Sequence, residues 1–135
     1  MTWSRSLIKL ATYEVEVLQK RLSEIVSRRA AAEARLQALV TEGEIEAAFA
    51  AEDAAAGFYR AGYAAGLKAR KAQAQADIDA LRLEEQGARD ALAEAFESQK
   101  KYEQVAETAR VLELKEQGRR ETAALDELGL RKRAR

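Results

Sequence analysis

The sequence predicts an all-α fold: an antiparallel two-helix coiled-coil hairpin with a C-terminal helical overhang. Three observations predict it. None of the 135 residues is proline, the strongest helix breaker, so long uninterrupted helices are allowed. Charged residues make up 34% of the chain, which is also rich in Ala, Glu, Leu, Arg and Gln; these are strong helix formers, and with a heptad-like period they are the signature of coiled coil. Glycines 57, 62 and 66 cluster between two periodic segments, where a chain that folds back on itself needs a reversal.

The first helix is expected over residues 5 to about 52. Steps of three and four link Ile8, Ala11, Val15, Leu18, Leu22, Ile25, Arg29, Ala32, Leu36, Leu39 and Gly43. A 3.5-residue repeat held this long argues for a coiled-coil seam rather than a generic amphipathic helix. Ser4 or Ser6 caps the start by offering a hydroxyl to free backbone N–H groups. Arg29 interrupts the seam, and Gly43 weakens it by about 1 kcal/mol relative to alanine. Trp3, Leu10 and Val17 recur at seven-residue spacing beside Leu7, off the seam. A two-stranded coil has no use for that stripe, which reads either as scattered surface hydrophobes, common on any protein, or as a partner-docking face, where a tryptophan is a typical interface anchor.

The turn is expected over residues 53–58, with Gly57 as a helix C-terminal cap. Phe58, Tyr59 and Tyr63 crowd the same end. Two packed helices offer little room to bury three rings there, so an exposed recognition patch is expected.

The second helix is expected over residues 59–129, followed by a basic tail at 130–135. Its seam runs Lys71, Ala74, Ile78, Leu81, Glu85, Ala88, Leu92, Ala95, Gln99, Tyr102, Ala106, Ala109. Facing residues of an antiparallel pair keep a constant index sum. One such sum sets Ile8 against Tyr102, Val15 against Ala95, Leu18 against Leu92, Leu22 against Ala88, Ala32 against Ile78 and Leu36 against Ala74. Large meets small in most of these layers, which lets the axes approach. The polar interruptions also fall close together: the same sum sets Glu85 against Ile25, one layer from Arg29, predicting an Arg29–Glu85 pair. Residues 110–135 then extend past the N-terminus, carrying Val111, Leu112, Leu114, Leu125, Leu128 and Leu130. Apolar residues on a lone helix suit a protein partner.

Composition excludes several function classes. Lysine and arginine balance aspartate and glutamate at 23 each, so no overall pull toward nucleic acid is expected. The run Arg131-Lys132-Arg133-Ala134-Arg135 reads as a solvated terminus with charge favourable to a helix C-terminus. No apolar run reaches the roughly 20 residues of a membrane span, and no signal-peptide core is expected at the start. The chain has no histidine and no cysteine, the commonest acid–base and nucleophilic groups. Neither phosphate-binding glycine motif is present. An enzyme is not expected, nor a cofactor or a metal.

Local strings resemble the FliJ family, the small coiled-coil proteins of the bacterial flagellar type III export apparatus. Leu7-Ile8-Lys9-Leu10-Ala11-Thr12-Tyr13-Glu14-Val15 is similar to the family's L-x-x-L-A-x-x-E-V pattern. Ala32-Glu33-Ala34-Arg35-Leu36-Gln37-Ala38-Leu39 also fits. Ser98-Gln99-Lys100-Lys101-Tyr102-Glu103 resembles its K-x-x-E segment, and Thr122-Ala123-Ala124-Leu125-Asp126-Glu127-Leu128 its closing D-E. The resemblance implies a hairpin similar to the central stalk of rotary ATPases. It implies a role in flagellum biogenesis, protein export and hence motility and chemotaxis. The expected partners are the flagellar export ATPase, the cytoplasmic domain of the export gate and export chaperones, with no nucleic acid. The expected location is cytoplasmic, peripheral at the inner membrane at the flagellar base and held there through partners; the free chain is expected to be a monomer. The ATPase-facing residues would be Trp3, Leu7, Leu10, Val17, Leu125 and Leu128. The gate-facing residues would be Arg35, Leu39, Tyr63 and Leu67. Glu42 and Glu46 stand where the family suggests tyrosine, and Arg70 where it suggests a small residue. The alternative is a structural, self-associating coiled-coil scaffold, which requires one continuous helix through Gly57–Gly66.

Overall fold

The computed structural model describes residues 3–53 and 58–134. Helix α1 spans Thr2–Glu52 and helix α2 spans Ala54–Ala134. They form an antiparallel hairpin. The reversal is tighter than the expected 53–58 turn, and α2 continues through the residues expected as a tail. Asp53 is the residue between the helices, and its N–H still bonds the Phe49 carbonyl at 3.2 Å. The expected Gly57 cap lies outside the described residues. Among the described residues no glycine has positive φ. The last turn of α2 carries Arg131, Lys132 and Arg133, which face the negative end of the helix dipole.

Contacts divide the chain into two units, residues 16–93 and residues 1–15 with 94–135. In the 16–93 unit, every expected seam residue of α1 from Leu18 to Gly43 is buried or half-buried. So is every expected seam residue of α2 from Lys71 to Leu92. Ile25, Leu39, Leu67, Ala74, Ile78 and Ala88 form its buried apolar seam, with Ile78 only 2% exposed. Small residues opposite large ones let two helices share a strip one side chain deep.

A polar layer crosses this seam. Arg29 donates to both carboxylate oxygens of Glu85, at 2.7 and 3.3 Å. Arg89 donates to Glu85 at 3.1 Å, and Arg29 reaches Glu33 at 3.1 Å. Arg82 closes the network on Glu33 at 3.4 Å. Glu85 is buried yet fully partnered, which is what a carboxylate at a seam position requires. Its bonds from Arg29 and then Arg89 hold its pKa below the usual carboxylate range, against an opposing push from burial. On the outer face of α2, Gln73, Gln75 and Gln86 each donate to an aspartate one turn on, supporting the helix where packing does not.

In the other unit, Ala11, Val15 and Ala95 are buried, with Ile8, Ala106 and Ala109 half-buried around them. Gln99 donates to the Thr12 hydroxyl at 3.1 Å, so a polar layer crosses here too. Tyr102, placed on the seam by periodicity, is 37% exposed, its bulky ring keeping it out of the buried strip. From residue 117 onward, every described residue is exposed.

Ile78→Ala should lower unfolding free energy by about 2–5 kcal/mol, read by chemical denaturation. Probes at residues 18 and 92, both half-buried on the seam, should report backbone separations of about 10 Å, the spacing of packed helices. Because Glu85 has a depressed pKa, its contribution is complete above the carboxylate pKa of the unfolded chain and is lost as pH falls through the lower folded value. Glu85→Gln should therefore lower the melting temperature at neutral pH and flatten its acid dependence. Glu84→Gln should do less, since the Arg28–Glu84 pair is exposed and 3.5 Å long.

Candidate partner-binding surfaces

Near the reversal, Leu39, Leu67 and Ala74 form a buried cluster, with Leu36 and Tyr63 packed against it. Gly43 is part of this arrangement. A Cβ there would stand 2.6 Å from Leu67 Cδ2, so the missing side chain is what seats Leu67 against α1. Tyr63 donates its hydroxyl to Glu42 at 2.9 Å. The Arg70 guanidinium lies 5.9 Å from the Tyr63 ring centroid and 3.7 Å from Glu42. Burial, then the bond to Glu42, pushes the Tyr63 phenol above its ordinary value. Glu42 and Arg70, two of the three departures from the family pattern, are thus partners of each other and of Tyr63.

Of the expected gate-facing residues, the structure brings Leu39, Tyr63 and Leu67 together. Leu39 and Leu67 are buried at 8% and 7% exposure, Tyr63 is half-buried and Arg35 is exposed. Two leucines hold this level of the hairpin, while Arg35 and Tyr63 are what a partner would meet.

The three aromatic residues expected at the tip separate. Tyr63 packs, whereas Phe58 and Tyr59 stay exposed, their rings edge to face at 5.2 Å and 87°. Ile45 and Phe49, off the seam of α1, are exposed as well. Sequence reading passed over these two, although their absence from the heptad seam was a usable signal. Phe49, Tyr59 and Tyr63 line a groove of about 320 Å³ flanked by Glu46 of α1 and Arg60 of α2.

In the other unit, Trp3 and Leu10 are more than half exposed, and Leu7 is half-buried. Tyr13, not singled out from the sequence, is 65% exposed. Val17, exposed on the same helix, belongs to the 16–93 unit. Leu125 and Leu128 are exposed on α2, with Leu112, Leu114 and Leu130. Thr122 turns its hydroxyl back to the Gly118 carbonyl at 2.9 Å and leaves the apolar side chains uncovered.

These surfaces can offer apolar area with charges at its margin. Among the described residues, no group of carboxylates is placed to hold a metal ion, and no helix is long and apolar enough to cross a membrane.

The family model described as "Flagellar FliJ protein" matches residues 5–135. Two curated relatives named "Flagellar FliJ protein", from Caulobacter vibrioides strains NA1000 / CB15N and ATCC 19089 / CIP 103742 / CB 15, are each 50% identical over 132 residues, covering 98% of this chain and 95% of theirs. No solved structure matches. Across nearly its whole length, then, this chain belongs to the flagellar FliJ protein family.

Proposed function

We propose that the chain is a non-enzymatic stalk of the flagellar type III export apparatus, linking the export ATPase ring to the cytoplasmic domain of the membrane export gate during flagellum assembly. Family membership supports the setting. The observation that carries the mechanical reading is that apolar residues outside the seam are exposed in both units, Trp3 and Leu10 in one and Ile45, Phe49, Phe58 and Tyr59 in the other. Trp3, Leu7 and Leu10, with Leu125 and Leu128 on α2, offer the surface for the ATPase, and Val17 continues the α1 stripe. Arg35 and Tyr63, over the buried Leu39 and Leu67, mark the level that meets the gate. Export chaperones are further partners in this reading. The chain works at the cytoplasmic face of the inner membrane, held peripherally through its partners.

The physical role follows from a strip of core one side chain deep. A core one side chain deep leaves little room for a low-dielectric pocket in which to shift a catalytic pKa, but it can present apolar surfaces to partners. A parallel, self-associating scaffold needs a helix continuous through the middle of the chain. The break at Asp53 and the Arg29–Glu85 pairing across the hairpin speak against it.

Capture of the chain on purified export ATPase tests the reading. Trp3→Ala combined with Leu10→Ala should weaken binding at least about tenfold, the scale of interface anchors, while helicity by circular dichroism stays unchanged. Arg35→Glu should weaken binding to the gate domain and leave the ATPase untouched. Unaltered ATPase binding by the double variant would remove the assignment of that end.

A further inference from the structure

The tip of the hairpin carries an uneven charge distribution. Residues 42–53 of the chain hold Glu42, Glu44, Glu46, Glu52 and Asp53 and no basic residue. Residues 58–76 hold Arg60, Lys68, Arg70 and Lys71 and no acidic residue. The last turn of α1 has no base and the first turn of α2 has no acid, although Asp53 directly precedes α2.

Arg70–Glu42 is the ion pair that crosses here among the described residues, at 3.7 Å, and both partners are nearly half exposed. Glu46 and Arg60 make no ion pair in the structure, yet they stand on opposite sides of the apolar groove lined by Phe49 and Tyr59. Phe58 beside them is 83% exposed, the most exposed large apolar residue described.

Departing from the expected monomer, and without a continuous parallel helix, we propose that this tip pairs with the tip of a second copy of the chain about a two-fold axis. An acidic margin and a basic margin on either side of one apolar groove make a self-complementary surface. A two-fold axis through the groove sets Glu46 of each copy against Arg60 of the other, forming two equivalent ion pairs around a shared aromatic centre. The exposed Phe58 and Tyr59 of each copy cover the groove of its mate. Pairing buries the level at which the gate is proposed to bind, so a self-paired chain is withheld from docking. The pairing itself stands on the charge and groove geometry and does not require that reading.

Sedimentation equilibrium of the full chain, from about 1 µM to several hundred µM, tests it. A monomer–dimer equilibrium that weakens as salt rises is expected. Glu46→Lys and Arg60→Glu should each weaken dimerisation at least about tenfold, because either reversal sets like charges against each other at both ion pairs. Mixing the two variants should restore a one-to-one heterodimer, since every margin then meets its opposite, and the double variant should dimerise alone. Phe58→Asp should yield a monomer, with circular dichroism confirming retained helix in each case. A wild-type chain that stays monomeric throughout overturns the proposal. So do dimers that persist in both single variants, which would place the contact on another face, and a mixture that fails to restore pairing.

Discussion

Alanine in α2 governs how this hairpin is built. Two helices with large residues on both sides of a single seam would stand apart and leave voids. Here Ala74, Ala88 and Ala95 are all buried, and each gives space to a larger residue of α1. The axes can then approach closely enough for a core one side chain deep to exclude water. That closeness also brings Arg29 within reach of Glu85 and seats Leu67 against Gly43. Alanine contributes little buried area of its own, so stability rests on a few residues such as Ile25, Leu39 and Ile78, and on high helix propensity along both helices.

The polar layer does a different job from the apolar one. A buried carboxylate held by two guanidinium groups adds little net stability compared with a well-packed apolar pair, but it makes other registers costly. Sliding α1 by one heptad would place Leu22 or Leu36 against Glu85 and strip that carboxylate of its partner across the hairpin, leaving it Arg89 of its own helix. A hairpin of alanine and leucine alone would have several near-equivalent alignments. The Arg29–Glu85 layer selects one, and Thr12 with Gln99 marks the other unit in a milder way.

Much of this was legible in the sequence because coiled-coil geometry converts spacing into contact. Seam residues from Ile8 to Gly43 came directly from the 3.5-residue period, and the Arg29–Glu85 pair from polar seam interruptions that the index sum sets one layer apart. What escaped was governed by size and local chemistry. Periodicity placed Tyr102 on the seam without regard to the room an aromatic ring needs. It gave Gly43 as a defect, although the neighbouring Leu67 makes the missing Cβ useful. The interlocked Glu42, Tyr63 and Arg70 could not be read from heptads, because they lie beside the seam and meet through their far ends. The candidate surfaces were legible only by subtraction, as apolar residues the seam does not use. That logic found Trp3, Leu10 and Leu128 and overlooked Ile45 and Phe49.

The far end of α2 contrasts with the tip. Its last turn carries Arg131, Lys132 and Arg133 where the backbone carbonyls concentrate negative charge, and Arg131 also reaches Glu127 at 3.3 Å. This end is electrostatically at rest as a helix, although nothing among the described residues covers its leucines. A helix that is already formed forfeits little chain freedom when another molecule closes over it, so any partner of these leucines meets a surface that needs no folding step.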